Sequence, residues 1–223
     1  MNIYILTLNN TVDIERCKCY IPFLSKERRE RINNSNNPKN IITSIYTGLL
    51  TNRIISKETG LSVKNIAFKY GEHGKPSLEV PGFNNDNYHF SVSHSNNCIA
   101  FVSNTAPIGI DIEQLAPARM KVAKRFFCEA EYEYLTSLDP CHSSVEFTTI
   151  WTKKEAYFKM TGDGLTKKID SVNVLNFSDN IMFYSKNHSD YIVSVCSSNL
   201  NSPINVIDLT EEDLTQDIYE CSP

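Results

Sequence analysis

Two long helical patterns, each accompanied by several short strand patterns, constrain the fold of this chain most strongly. In the first, apolar residues recur at helical spacing from about Lys39 to Ser56, and Gly60 supplies a stop signal. The second runs from about Ser144 to Met160. A chain of 223 residues can hold one large or two small domains, so each helix can belong to a separate unit.

Extended stretches surround both helices. The strand-like segments are residues 2–8, 66–70, 88–94, 98–104, 107–113, 171–177, 191–197 and 204–209. Further helices are expected over 24–33, 121–127 and 130–138. We therefore predict an α+β protein of two similar subdomains, residues 1–104 and 105–223.

Composition and charge narrow the class of protein. Hydrophobic residues make up 41% and charged residues 22%, as in ordinary globular domains. No run approaches the roughly 18 apolar residues of a membrane helix, and the first residues do not resemble a secretion signal. Seven scattered cysteines without a C-x-x-C pair predict neither a disulfide framework nor a zinc site. A cytoplasmic protein without a membrane partner is expected.

The net charge of −4 conceals an asymmetry between the two halves. Residues 1–100 carry 12 Lys and Arg against 8 Asp and Glu, whereas residues 101–223 carry 10 against 18. A nucleic-acid-binding protein would show a dominant basic footprint instead. The split suits a basic half that binds an anion and an acidic half that holds a cation.

Carboxylates of the second half predict the cation. Asp111 and Glu113 are two residues apart in a strand, so both point to one face, whereas Glu155 and Lys159 share a helical stripe. If strand and helix face each other, three carboxylates converge and need a hard divalent cation such as Mg²⁺. Lys154 and Lys159 would then receive phosphate charge. The alternatives are a solvated strand edge and an ordinary ion pair between Glu155 and Lys159.

A second constellation lies in the first half. Gly74 allows close approach of the backbone, Pro76 stiffens its turn, and Lys75 and His94 supply donors. Arg28 and Arg31 lie on one face of a basic helix. Taken singly, each of these side chains is also typical of a solvated surface or of structural packing.

Four motifs in fixed order, GKPSL, FSVSHS, IGIDIE and WTKKEAYFKMTGDGL, resemble those of the 4′-phosphopantetheinyl transferases, in particular their long surfactin-type branch. The resemblance covers most of the chain and implies a monomer with two α+β halves in a pseudo-twofold arrangement, with coenzyme A and Mg²⁺ bound between them. It implies transfer of the 4′-phosphopantetheine arm from coenzyme A to a serine of an apo acyl or peptidyl carrier protein, with release of adenosine 3′,5′-bisphosphate.

The resemblance also assigns residues. The metal would be held by Asp111, Glu113 and Glu155, and the catalytic residues would be Glu155, as general base, and Lys159. The pyrophosphate would be held by Lys154 and Lys159. The nucleotide end would be held by Gly74, Lys75, Pro76, Ser93 and His94, and its 3′-phosphate would be reached by Arg28 and Arg31. One departure is that Ser44 stands where the family commonly has an arginine.

The carrier protein is expected to dock after the acidic strand, on Met120, Val122, Lys124, Phe126 and Phe127, although the two phenylalanines could equally be core. Two other functions remain possible from the residues. A metal-dependent nuclease would need a basic track for phosphates, which the acidic second half lacks. A non-catalytic carrier-binding module would use the acids only to stabilise the fold.

Overall fold

The protein is seen here as a computed structural model that describes residues 1–9, 12–164, 169–177, 180–200 and 203–220. Leu165 of the last motif and Cys221 lie outside these ranges. The first half contains β1 (Asn2–Thr7), α1 (Ile14–Cys17), α2 (Lys26–Asn33), α3 (Pro38–Thr59), β2 (Phe68–Tyr70), β3 (Pro76–Leu78), β4 (His89–Ser95) and β5 (Cys98–Asn104). Short 3-10 helices lie at Lys18–Phe23, Val63–Asn65 and Asn85–Asn87.

The second half repeats this combination of one long helix with a sheet. Its elements are β6 (Ile108–Gln114), α4 (Met120–Phe126), α5 (Glu129–Ser137), α6 (Pro140–Thr161), β7 (Met182–His188), β8 (Tyr191–Ser197), β9 (Asn205–Leu209) and α7 (Glu211–Glu220), with a 3-10 helix at Ile169–Ser171. The fold is α+β with two subdomains, as predicted.

Both long helices begin and end in the same way. The Asn37 side chain accepts hydrogen bonds at the start of α3, Pro38 takes the first position, and Gly60 ends the helix with φ +73°. At α6, Asp139, Pro140 and Gly162 fill the same three roles. Each helix has 22 residues. The helical spacing therefore predicted both elements, although each extends a few residues beyond its apolar pattern.

The strands form two main sheets and one ribbon. One sheet has the order β4-β5-β1-β9, another has the order β6-β8-β7, and β2 pairs with β3. All pairs are antiparallel except β1 with β9, where Ile3 is opposite Val206. The chain thus returns at its end to the sheet of the first half, where Glu211 of α7 accepts a hydrogen bond from the Tyr46 hydroxyl at 3.4 Å. The predicted 105–223 unit therefore places its last strand in the other half's sheet.

The prediction of a strand over 171–177 is wrong. Residues 172–177 follow the 3-10 helix at Ile169–Ser171 and form no strand; residues 174–176 are bends. Side chains here form hydrogen bonds with backbone groups that would pair with a neighbouring strand. Lys154 donates to the Val172 carbonyl, and the Glu131 carboxylate accepts from the Val174 amide at 2.8 Å. The third strand of this sheet is β7, which the sequence pattern did not indicate.

Helix α6 packs directly on β6, and Gly109 makes this contact possible. A Cβ atom at Gly109 would lie 1.9 Å from the Ala156 carbonyl oxygen and 2.6 Å from the Met160 amide nitrogen. Strand and helix therefore touch through their backbones, which fixes the side chains of β6 against those of α6.

Among the helices within the described ranges, none is long and apolar enough to cross a bilayer. The described cysteines, all but Cys221, carry free thiols.

Candidate active site

A row of serines joins the two halves at the site. Ser91, Ser93 and Ser95 alternate along β4 and face β6. The Ser91 hydroxyl accepts from the Ile110 amide at 3.1 Å, Ser93 donates to Asp111 at 2.7 Å, and Ser95 donates to Glu113 at 2.7 Å. These contacts fix both strand carboxylates.

Asp111 is the most buried of the predicted metal-site acids, with 3% of its surface exposed. Its Oδ1 accepts from Ser93 and, at 2.6 Å, from the Lys159 ammonium of α6. Its Oδ2 is buried and has no hydrogen-bond partner among the residues that the structure describes. A buried carboxylate oxygen in this state leaves room for one more interaction with a cation or donor.

The pKa values of Glu155 and Glu113 are both raised by burial and by the charge of Asp111. Burial, followed by the charges of Asp111 and Glu113, raises the pKa of Glu155 to about 7, and Lys159 opposes the shift. Burial also raises the pKa of Glu113, with a further contribution from Asp111. The negative charge of Asp111 therefore disfavours ionisation of both glutamates.

The described part of the chain contains no group of three His, Cys, Asp or Glu residues arranged as a metal site. Lys159 instead contacts Asp111 through its ammonium group. The donor set nevertheless suits Mg²⁺, because it consists of hard carboxylate oxygens that include the unpartnered Oδ2 of Asp111.

Lys154 does not reach this site, which contradicts its predicted contact with the pyrophosphate. Its side chain is fully buried, pairs with Glu131 at 2.8 Å, and donates to the carbonyls of Ile169 and Val172. A lysine that directly precedes Glu155 on a helix points about 100° away from it, in this case into the interior. Lys154 therefore holds the 169–174 segment against α5 and α6.

The GKP loop contributes to the site from the first half. Gly74 has φ +80°, which only glycine adopts readily. The Lys75 ammonium crosses to the second half and donates to the Met160 carbonyl at 2.7 Å, and burial lowers its pKa. A pocket of about 220 Å³ lies here; its walls include Gly74, Lys75, Pro76, Ser91, Glu155 and Lys159.

A second pocket, which we call the basic pocket, shares Gly74 and Pro76 with the first. Its walls are Arg28, Arg31, Lys39, Asn40, Thr43, Ser44, Thr47, Tyr70, Gly74, Pro76, Val92, His94 and Asn96. Arg28 donates to the Ser44 carbonyl at 3.2 Å, and the Arg31 guanidinium lies 5.1 Å from the Tyr70 ring centre. The structure therefore brings together the residues that were expected at the nucleotide end, except Ser93 and Lys75, which face β6 and α6.

His94 connects the two pockets electrostatically. It points away from the serine row, because successive residues of β4 face opposite sides. Desolvation by the surrounding protein lowers the pKa of its imidazole most, and the positive charges of Lys159 and Arg28 lower it further. Positive charge thus extends from Arg28 past His94 to Lys159.

The predicted docking residues separate into two groups. Phe127 is buried and stacks on Phe147 at 5.3 Å between ring centres, so it belongs to the core. Phe126 is partly buried against Trp151. Met120 and Val122 are also partly buried, whereas Lys124 is exposed.

Four polar residues of α3 in the basic pocket were not singled out from the sequence: Lys39, Asn40, Thr43 and Thr47. Lys39, Thr43 and Thr47 are spaced i, i+4 and i+8, so they form a polar stripe along an otherwise apolar helix. The stripe was visible in the sequence, but nothing there indicated that it faced Arg28 and Arg31.

Comparisons with known proteins agree with the fold and with these motifs. Residues 107–204 match the model of the 4′-phosphopantetheinyl transferase superfamily, and residues 13–106 match that of the 4′-phosphopantetheinyl transferase N-terminal domain. The chain therefore belongs to the 4′-phosphopantetheinyl transferases, a family of enzymes.

Individual relatives support this assignment. The chain is 30% identical to 4′-phosphopantetheinyl transferase Sfp of Bacillus subtilis (strain 168) over 78% of its own length and 76% of the relative's. It is 29% identical to the transferase gsp of Aneurinibacillus migulanus over 75% and 68% of the two chains. It is 39% identical to the transferase HetI of Nostoc sp. over 58% and 52%.

Proposed function

We propose that this enzyme transfers the 4′-phosphopantetheine arm of coenzyme A to a serine hydroxyl of an apo carrier protein in a Mg²⁺-dependent reaction. The observation that carries the proposal is the adjacency of two oppositely charged regions. Asp111 and Glu113 raise the pKa of Glu155 through their charge, and we call these three residues the acidic cluster. Glu155 lines the first pocket, which shares Gly74 and Pro76 with the basic pocket of Arg28 and Arg31. This arrangement fits a ligand that has a pyrophosphate and a separate phosphate.

The acidic cluster would hold the metal. Asp111, Glu113 and Glu155 supply carboxylate oxygens, and no described residue is a hydrogen-bond partner of the buried Oδ2 of Asp111. When bound, Mg²⁺ would neutralise charge on the pyrophosphate. Lys159, which is already in contact with Asp111, would add its ammonium to the same phosphate oxygens.

The reaction is a phosphoryl transfer. The serine oxygen forms a bond to the phosphorus that carries the pantetheine arm, the bond from this phosphorus to the bridging oxygen breaks, and adenosine 3′,5′-bisphosphate leaves. Glu155 would take the proton of the serine hydroxyl, because it is the acid that α6 presents to the pocket beside Lys159. Positioning and charge neutralisation supply most of the catalysis in such reactions.

The first half would bind the nucleotide end of coenzyme A. The GKP loop offers backbone at Gly74 and Pro76, which line both pockets, and His94 lines the basic pocket. Arg28 and Arg31 would contact the 3′-phosphate. Lys75 and Ser93 would act indirectly by fixing α6 and Asp111.

The carrier protein would dock on the exposed and partly buried side chains of α4, namely Met120, Val122, Lys124 and Phe126.

We also propose a monomer in the cytoplasm, which is consistent with the free thiols of the described cysteines. A non-catalytic carrier-binding module would require no fixed acids beside a basic pocket.

Incorporation of labelled coenzyme A into an apo carrier protein tests the proposal. We expect transfer by the wild type with Mg²⁺, none with a chelator, and a kcat lower by about 10²–10⁴-fold in Glu155→Gln. Glu129→Gln, at an exposed position of α5, serves as the matched control and should keep full activity. Near-wild-type turnover by Glu155→Gln would contradict the assigned base and favour the non-catalytic module.

A further inference from the structure

The basic pocket contains three full positive charges and no carboxylate among its described walls. Arg28 contacts the Ser44 carbonyl, Arg31 lies over the Tyr70 ring, and the Lys39 ammonium donates to the Asn96 side-chain oxygen at 3.3 Å. Each cation thus has a neutral partner. Because like charges gathered in one pocket repel one another, an anion bound there would be stabilised.

Lys39 enters this pocket from the N-terminal end of α3. The Asn37 side chain accepts hydrogen bonds from the amides of Lys39 and Asn40 and so fixes the first turn. The amide dipoles of a helix start add positive potential. This end of α3 and the basic helix α2 therefore face the same space from two sides.

The wall of the pocket also contains an unsatisfied polar group. Thr47 is 4% exposed, and its hydroxyl has no hydrogen-bond partner within the described part of the chain. Buried hydroxyl groups usually have one, and exceptions often occur where a ligand or water completes the site. Lys39 and Thr47 lie on the same stripe of α3, two turns apart.

We propose that Lys39 is a third cationic ligand of the phosphate that Arg28 and Arg31 bind, and that it makes this pocket selective for a phosphomonoester dianion. Such a group carries a charge of about −1.5 to −2 at neutral pH. Two arginines already match that charge, and Lys39 adds a third charged donor for the phosphate oxygens. Lys39 also supplies a cation on the side of the pocket where Ser44 has none.

The inference rests on the proposed function, because it takes the phosphate to be the 3′-phosphate of coenzyme A. Its consequence is discrimination between ligands with and without this group. Lys39 lies far from the bond that breaks, so its loss should raise KM for coenzyme A and leave kcat unchanged.

Calorimetric titration with adenosine 3′,5′-bisphosphate and with adenosine 5′-monophosphate tests the inference. We expect Lys39→Ala to weaken binding of the bisphosphate about tenfold, as the loss of one charge-assisted hydrogen bond does. Binding of the monophosphate should not change. Lys39→Arg should restore most of the affinity, and Lys57→Ala, at an exposed position outside the pocket on the same helix, is the matched control.

Equal binding of the bisphosphate by Lys39→Ala and the wild type would overturn the inference. An equal loss for both nucleotides would overturn it as well, because Lys39 would then not recognise the 3′-phosphate. If the wild type binds the bisphosphate in the expected Lys39-dependent way but transfers nothing to a carrier protein, the inference stands and the proposed function fails. Melting temperatures of all variants check that the fold is intact.

Discussion

Replacement of Gly109 by alanine should damage both stability and catalysis, because β6 and α6 touch at this residue. The added Cβ would lie 1.9 Å from the Ala156 carbonyl oxygen, whereas a carbon–oxygen contact needs about 3.3 Å. The strand and helix would therefore have to separate by roughly 1.4 Å. Overpacking usually costs about 1–3 kcal/mol, and a backbone obstacle places this case at the upper end.

The same displacement should reach the catalytic residues. The new methyl group would meet Ala156 and Met160, which directly follow Glu155 and Lys159 in α6. Asp111 lies two residues from Gly109 in β6. A shift of about 1 Å in catalytic groups can lower the rate by roughly 10²-fold. Loss of about 3 kcal/mol should lower the melting temperature by roughly 6–12 °C for a chain of this size.

Thermal unfolding and coenzyme A transfer measured on the same samples give both quantities. Gly71→Ala is the control, because its Cβ would meet only the Lys75 carbonyl oxygen at an ordinary 3.7 Å. Wild-type melting temperature and activity in Gly109→Ala would refute the direct contact of β6 with α6.

Three further predictions follow from individual groups. Asp111→Asn should abolish Mg²⁺-dependent transfer while the protein stays folded, and an unchanged response in a Mg²⁺ titration would contradict the metal assignment. The His94 pKa, lowered in the free protein by burial and by Lys159 and Arg28, should rise when adenosine 3′,5′-bisphosphate neutralises those cations. The bisphosphate should therefore bind more tightly as the pH falls through this pKa. If an NMR titration shows the same His94 pKa with and without the bisphosphate, His94 does not lie beside the bound phosphates. Lys154→Met should cost about 3–5 kcal/mol in urea unfolding, because it leaves Glu131 buried without its partner, yet KM for coenzyme A should not change; a raised KM with unaltered stability would restore the pyrophosphate role.

The local elements were accessible from the sequence, whereas their long-range pairing was not. The helical patterns predicted α3 and α6, and Gly60 predicted the end of α3, since a glycine stop acts within a few residues. The parallel pairing of β9 with β1 joins residues about 200 positions apart, and no local pattern specifies it. Residues 171–177 have strand composition, but bonds from Lys154 and Glu131 override that preference.

The candidate site was predicted where spacing alone fixes geometry. Asp111 and Glu113 share a strand face, and Glu155 and Lys159 share a helix face. The position of Lys154 was not predicted, because a lysine is expected at the surface. Only the tertiary structure shows that the carboxylate of Glu131 compensates the charge of Lys154 in the interior. The position of Lys39 was not predicted either, because its relation to Arg28 depends on how α2 packs against α3.

The most direct test of the account is the intact mass of an apo carrier protein after incubation with this enzyme, coenzyme A and Mg²⁺. We expect a mass increase of one 4′-phosphopantetheine group, located on a serine by fragmentation, with adenosine 3′,5′-bisphosphate formed in equal amount. Glu155→Gln should show this increase far more slowly. A carrier protein that binds the wild-type enzyme but keeps its original mass would contradict the account.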